Sequence, residues 1–330
     1  MAAIEALYLP RGQEIITSPF TFSATAAAAI FMGYTPVFAD LTPDGYTIDP
    51  ESVHACITSK TVAIMPVDLF GGLADYSALK TFEFPIIQDA CQAVGATKQW
   101  LHGEIAAWSF NGAKNVPAGE AGMALTNDVV FANRMREFIS HGENFLDNSS
   151  EHCTRLVAQN PHGRRALIGI NGRLNELTAC VAYFGMQEVA ANNQRRRALA
   201  DELYQRLKHR RDLDVPNPGE IADHALYVYP FEVHGIDRAL FIERMKRMGV
   251  EVGGGYITPP LHQYVALPAA RVPMTNVEKL SYRTLCLLSQ VRPPATKADM
   301  AYIADCVEAA LDGVMPKRLR RLGFISESVF

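Results

Sequence analysis

The first group in this sequence with an evident chemical use is Lys114, in the middle of the small-residue stretch WSFNGAKNVPAGEAG that spans positions 108–122. An apolar strand ending runs into this loop, and Gly112, Gly119 and Gly122 let backbone pass close to something bulky. An amine crowded in that way loses water. Dehydration disfavours the ammonium, lowers its pKa and exposes the lone pair that a Schiff base with an aldehyde requires. Taken alone, a lysine in a glycine-bearing loop is most often a solvated side chain. A second segment, FPIIQDACQA at 84–93, alters that balance, because its apolar run ends on a carboxylate, Asp89. Ligands of open α/β sheets sit beyond the carboxyl ends of the strands, so Asp89 and Lys114 are expected to converge there from neighbouring strands.

A carboxylate facing a lysine imine has one well-known use: it holds the pyridine nitrogen of pyridoxal phosphate protonated, so that the ring accepts electrons. The ordered set IIQDACQAVGA, WSFNGAKN, GEAGMALTND and GINGRLNELTA resembles the pyridoxal-phosphate-dependent sugar aminotransferases of the DegT/DnrJ/StrS family, over nearly the whole chain. The resemblance implies a transferase of fold type I, like aspartate aminotransferase. Its mostly parallel central sheet would belong to a large cofactor domain, residues 1–205, followed by a smaller C-terminal α/β domain, 206–330.

The same resemblance assigns roles. Lys114 carries pyridoxal 5'-phosphate as an imine and moves a proton, Asp89 binds the ring nitrogen, and Gln92 binds the phenolic oxygen. Ser109 binds phosphate, Phe22 stacks on the ring, and Asn171 reaches the phosphate of the other subunit in a homodimer with shared active sites. An amino-acid donor, glutamate by expectation, and a ketosugar acceptor, nucleotide-linked by expectation, would use the site in turn; an aminocyclitol precursor ketone and a non-catalytic, regulatory paralogue stay open as alternatives. A related branch that removes a hydroxyl group has histidine where this chain has Lys114, which favours transamination. The chain opens on helical composition, Ala2 to Leu9, with no capping residue before it. Family members carry a preceding strand and a glycine turn that help bind the phosphate, so two expectations stay open: the sequence starts downstream of the real beginning, or the phosphate cup is incomplete.

Composition sets outer limits. The 330 residues are 48% hydrophobic and 20% charged, an ordinary globular balance long enough for two domains. A net charge of -4 offers no basic face for nucleic acid or anionic membrane. Six scattered cysteines, without a CxxC pair, read as reduced core thiols of a cytoplasmic protein, and no metal site is expected, the His152-Cys153 pair lacking further ligands. Neither a run of 18 apolar residues nor a signal peptide is evident. No GxGxxG follows an early strand, which argues against an NAD enzyme.

Strand and helix signals alternate through residue 126. Helices are expected over 129–139 and from 175 to about 207, separated by a polar loop, 143–165, near the site mouth. The pattern breaks at 215–219; beyond it strands are expected at 225–233 and from 250, and helices over 238–248, 277–288 and 299–311. Several residues invite a catalytic reading without supporting it. Asp68 reads as a structural or substrate-side polar group, and His141, His162 and His262 lack metal-ligand spacing. Arg195, Arg196 and Arg197 read as a solvated helix face, as the basic tail 316–321 does.

Overall fold

The computed structural model describes residues 1–96, 99–142, 168–254 and 257–314. After a short helix α1 (Ala2–Ala6), β1 (Glu14–Thr17), α2 (Ala24–Phe31), β2 (Thr35–Phe38), α3 (Pro50–Cys56) and β3 (Thr61–Met65) alternate, with β1 between β2 and β3 and all pairings parallel. Next come α4 (Tyr76–Lys80), β4 (Ile87–Asp89), β5 (Ile105–Ser109) and β6 (Gly122–Leu125); β4 and β5 are parallel and β6 runs antiparallel at the edge. Parallel bridges Ile64–Ile86 and Val67–Asp89 join the two sets of strands into one mostly parallel sheet.

Strand β1 illustrates why the sheet is buried on both sides. Ile15 packs with Ile4, Ala6, Met135 and Phe138 on one face, the latter pair from α5 (Val129–Ile139). Its neighbour Ile16 points the other way, among Val53, Cys56 and Leu79 of α3 and α4. Period-2 alternation with apolar groups on both faces is the signature of a parallel sheet covered by helices. Side-chain caps fix the helix starts: Asp49 accepts from the N–H groups of Glu51 and Ser52, and Asp128 from those of Val130 and Phe131.

Helix α6 (Glu176–Leu207), capped by Asn175, links this body to a second core. Its last turns, Leu199 to Leu207, pack with strands β7 (Leu213–Asp214) and β8 (Tyr229–Val233) and with α7 (Arg238–Arg247). Then follow β9 (Val252–Gly254), α8 (Thr275–Lys279), a π-helical turn (Leu280–Thr284), β10 (Leu285–Leu288) and α9 (Lys297–Asp312). The strands form an antiparallel sheet in the order β7-β8-β10-β9.

Two sequence expectations fail here. The helix expected over 277–288 breaks at Thr284, and 285–288 is a central strand. The run Leu-Cys-Leu-Leu suits either state locally, and pairing with β8 and β9 on both sides decides it. The strand expected from Ala225 begins only at Tyr229, because Ala225 and Tyr227 donate their N–H groups to Gly71 and Phe70 of the larger body instead. Among the described cysteines, Cys56, Cys286 and Cys306 are buried as expected, whereas Cys180 is exposed on α6. Cys153 lies outside the described residues, as do His152, His162, the polar loop from 143 and the basic tail. Among the described residues no helix is long and apolar enough to cross a membrane.

Candidate active site

Adjacent parallel strands set the position of the acid and the base. Asp89, last residue of β4, pairs with Ala107 of β5, and Ser109 ends β5 two residues further along the same edge. Beyond Ser109 the chain turns: Phe110 donates to the Ala121 carbonyl at 2.9 Å, Ala118 to the Phe110 carbonyl at 2.8 Å, and Lys114 to the Asn111 carbonyl at 2.8 Å. The lysine loop is also nailed to α6. Asn115 Nδ2 donates to Asn193 Oδ1 (3.0 Å) and to the Ala225 carbonyl (2.8 Å), while Asn193 Nδ2 donates to the carbonyls of Val94 (2.9 Å) and Gly95 (3.1 Å).

Lys114 Nζ rests 4.5 Å from the centre of the Tyr227 ring. Burial lowers its pKa, against the opposing pull of Cys91 and then Asp89, both within electrostatic reach. The acid and the amine therefore share one neighbourhood, as their positions in sequence led us to expect. Asp89 Oδ2 accepts from Thr25 Oγ1 at 2.7 Å and Oδ1 from the Cys91 N–H at 3.2 Å. Gln92, buried, accepts the Phe70 N–H on Oε1 at 2.8 Å, which fixes which end of its amide is the donor. Ser109 Oγ accepts the Asn111 N–H at 3.3 Å and keeps its own proton to donate.

Phe22 lies in the loop between β1 and α2 and is 59% exposed. Asn171 is exposed too, its backbone bridged to Ser140 at the end of α5. Close to it in sequence Ile168, Ile170, Leu177, Val181, Tyr183 and Phe184 are exposed as well. Phe22 and Asn171 are thus on the surface, whereas Gln92 is buried and Asp89, Ser109 and Lys114 are half-buried.

The reading of Arg195, Arg196 and Arg197 as one solvated face needs correction. Arg195 is exposed, but Arg196 is buried and donates from Nη1 to the Leu226 carbonyl at 3.0 Å; Arg197 Nη1 donates to the His224 carbonyl at 2.8 Å. Burial first, and the charge of Arg292 second, bring the Arg196 pKa down to about 10. These guanidiniums clamp the segment that presents Tyr227. Opposite them, Phe70 and Leu226 hold left-handed backbone (φ 57 and 46), strain that the surrounding hydrogen bonds maintain.

Asp68 is wholly buried, bonded to the Tyr76 hydroxyl (2.8 Å), Gln88 (2.8 Å) and the Ala74 N–H (3.0 Å), with burial pushing its pKa up to about 7. Enclosure by these groups makes it a structural acid. His141 is exposed in a left-handed turn, and the His262 side chain lies 3.5 Å from Glu278. Among the described residues, Asp214, Glu232 and His234 bring potential ligand atoms within 4.8 Å of one another. His234 already pairs with Asp214 at 2.7 Å and Lys279 with Glu232 at 3.2 Å.

Sequence reasoning missed Thr21, Thr25, Tyr227 and the Asn115–Asn193 pair. Thr25 left a trace: it is the one hydroxyl in the otherwise apolar helix ATAAAAIF. Tyr227 left none, since it reaches Lys114 only through tertiary closure.

A mostly parallel sheet with a lysine loop past its carboxyl edge, followed by a smaller α/β unit on a long helix, defines a pyridoxal-phosphate-dependent transferase of fold type I. More closely, the chain belongs to the DegT/DnrJ/EryC1/StrS aminotransferase family, whose model matches residues 1–308. With that membership comes dependence on pyridoxal phosphate. The donor set fits the group: a dehydrated amine for its aldehyde, a fixed carboxylate for its ring nitrogen, and an amide and a hydroxyl for its oxygens.

A 3-oxo-glucose-6-phosphate:glutamate aminotransferase of Bacillus subtilis is 29% identical over 248 residues, 72% of this chain and 53% of that protein. A pleiotropic regulatory protein of Geobacillus stearothermophilus is 36% identical over 188 residues, 54% of this chain and 46% of the relative. The chain thus spans about half the length of these curated relatives. The solved structure of ntda from Bacillus subtilis with bound cofactor PMP superposes with a TM-score of 0.78 at 25% identity, covering 93% of this chain and 70% of that one.

Proposed function

We propose that the protein is an aminotransferase that moves an amino group from an amino acid, glutamate first among candidates, to a nucleotide-linked ketosugar. The observation that carries this reading is a burial-lowered amine, Lys114, on the loop after β5, within electrostatic reach of a carboxylate fixed at the end of β4. When bound, pyridoxal phosphate supplies an electron sink that lets an α-carbon surrender its proton.

The chain's residues divide the remaining work. Lys114 would hold the cofactor covalently and, as a free amine, would move the donor's α-proton; low polarity around Nζ favours the unprotonated amine more than in a solvated lysine. Between those events the face of Tyr227 stabilises the ammonium form. Asp89, its oxygens bonded by Thr25 and the Cys91 N–H, would hold the proton on the ring nitrogen. Gln92 would bind the phenolic oxygen through its amide, Ser109 would donate to phosphate, and Phe22 would cover the ring. Asn171, set in an exposed apolar face, serves the neighbouring subunit of a homodimer. The division into a cofactor domain, 1–205, and a smaller domain, 206–330, belongs to the same proposal, with α6 crossing the boundary.

The printed activity of the Bacillus subtilis relative supports glutamate as donor and a sugar ketone as acceptor. The Geobacillus relative's name supports a second reading, a cofactor-binding regulator without turnover. Incubating cofactor-loaded protein with glutamate and a panel of ketosugars separates the two. Aminosugar product supports transfer; a bound cofactor that never exchanges nitrogen with glutamate supports the regulator.

A further inference from the structure

Two buried threonines form a chain of hydroxyls that ends on Asp89. Thr21 and Thr25 are 2% and 5% exposed, their Oγ1 atoms lie 3.0 Å apart, and Thr25 Oγ1 stands 2.7 Å from Asp89 Oδ2. An ionised carboxylate only accepts, so the Thr25 proton must go to Asp89. Its oxygen then accepts from Thr21, and the chain is polarised toward the acid. Hydrogen bonds to charged acceptors are the strong ones, and bonds in a buried chain reinforce one another.

Thr25 has a second attachment. Its backbone N–H donates to the Phe22 carbonyl at 3.1 Å. One residue therefore fixes the acid on β4 and the loop that carries Phe22. Without its hydroxyl Asp89 loses the partner on Oδ2, and the charges that already interact with it, those of Lys114 and the Met1 ammonium, are left to compete for the carboxylate.

We infer that Thr25, polarised by Thr21, is a positioning residue: it keeps the Asp89 carboxylate turned toward the cofactor's ring nitrogen rather than toward Lys114. The assignment rests on the proposed function, since it gives the ring nitrogen to Asp89. Thr25→Val keeps the shape and removes the O–H, and Thr25→Ser restores it.

Pyridoxal phosphate labelled with 15N in the ring is titrated into the full-length wild type, T25V, T25S and T21V, reading the dissociation constant by fluorescence and the protonation of the ring nitrogen by NMR. T25V is expected to bind about tenfold more weakly, with the nitrogen signal displaced toward the unprotonated position, T25S to behave as wild type, and T21V to show a smaller change in the same direction. Equal affinity and an unmoved nitrogen signal in T25V overturn the assignment, as does a T25S as impaired as T25V, which would mark a packing role. Should T25V fail to fold by circular dichroism, T21V decides, and an unchanged T21V refutes the polarised chain. Wild type that takes up no cofactor refutes the underlying function as well; uptake by wild type with an unaffected T25V refutes this inference alone.

Discussion

The inner edge of the site and its outer face are built on opposite plans. Around Asp89 and Lys114 polar side chains find partners within the chain: Thr25 on Asp89, the Phe70 N–H on Gln92, Asn193 on Asn115. Around Asn171 the chain instead exposes Ile168, Leu177, Val181, Tyr183 and Phe184, apolar groups with no such enclosure. The contrast separates two tasks. Pre-organising an amine and an acid requires fixed neighbours, which one chain supplies; an exposed apolar surface is suited instead to being covered, and the proposed function gives that task to a second subunit.

The largest effect is expected inside. Lys114→Ala removes both the bond to the cofactor and the proton carrier, and should lower amino transfer by roughly 10³-fold or more, with the visible absorbance of bound cofactor lost. A variant that retained both would break the inner half of the comparison. On the outer face, Tyr183→Asp should weaken self-association by about 10²-fold, read by sedimentation, and should lower cofactor retention without altering the monomer's fold. Unchanged association would mean that the apolar face serves another purpose.

Smaller effects sharpen the inner half. Asn193→Ala strips Asn115 of one acceptor and leaves the Val94 and Gly95 carbonyls unpaired, which should cost about 2 kcal/mol in urea unfolding and loosen the lysine loop. His224, half-buried behind the Tyr227 segment, has its pKa lowered to about 4 by burial. The unfolded state binds its proton near pH 6.5 and the folded state resists until about 4, so stability is complete above that window and falls as pH drops through it. The loss should be on the order of 2 kcal/mol, given partial solvent access, and His224→Gln should flatten it.

How much the sequence discloses follows the same divide. Asp89 and Lys114 were legible because a parallel sheet puts loop chemistry at its carboxyl edge, a rule that needs only strand order. Helix α6 was legible from its periodicity. What escaped depends on contacts between distant segments. Tyr227 is brought to Lys114 by Phe70, Gly71 and two arginines, and nothing local in ALYVYPF marks it; Arg196 looks like one more surface charge until its carbonyl partners are seen. Residues 285–288 were misjudged for the same reason, since their strand state is imposed by β8 and β9 from either side.

Peptide mapping after borohydride reduction is the most direct measurement. Protein loaded with pyridoxal phosphate, reduced and digested, should carry the phosphopyridoxyl mass on the peptide containing Lys114 and lose it on prior incubation with glutamate. A label on a different lysine, or none in protein that has taken up cofactor, would contradict the assignment of Lys114 as the cofactor's covalent anchor.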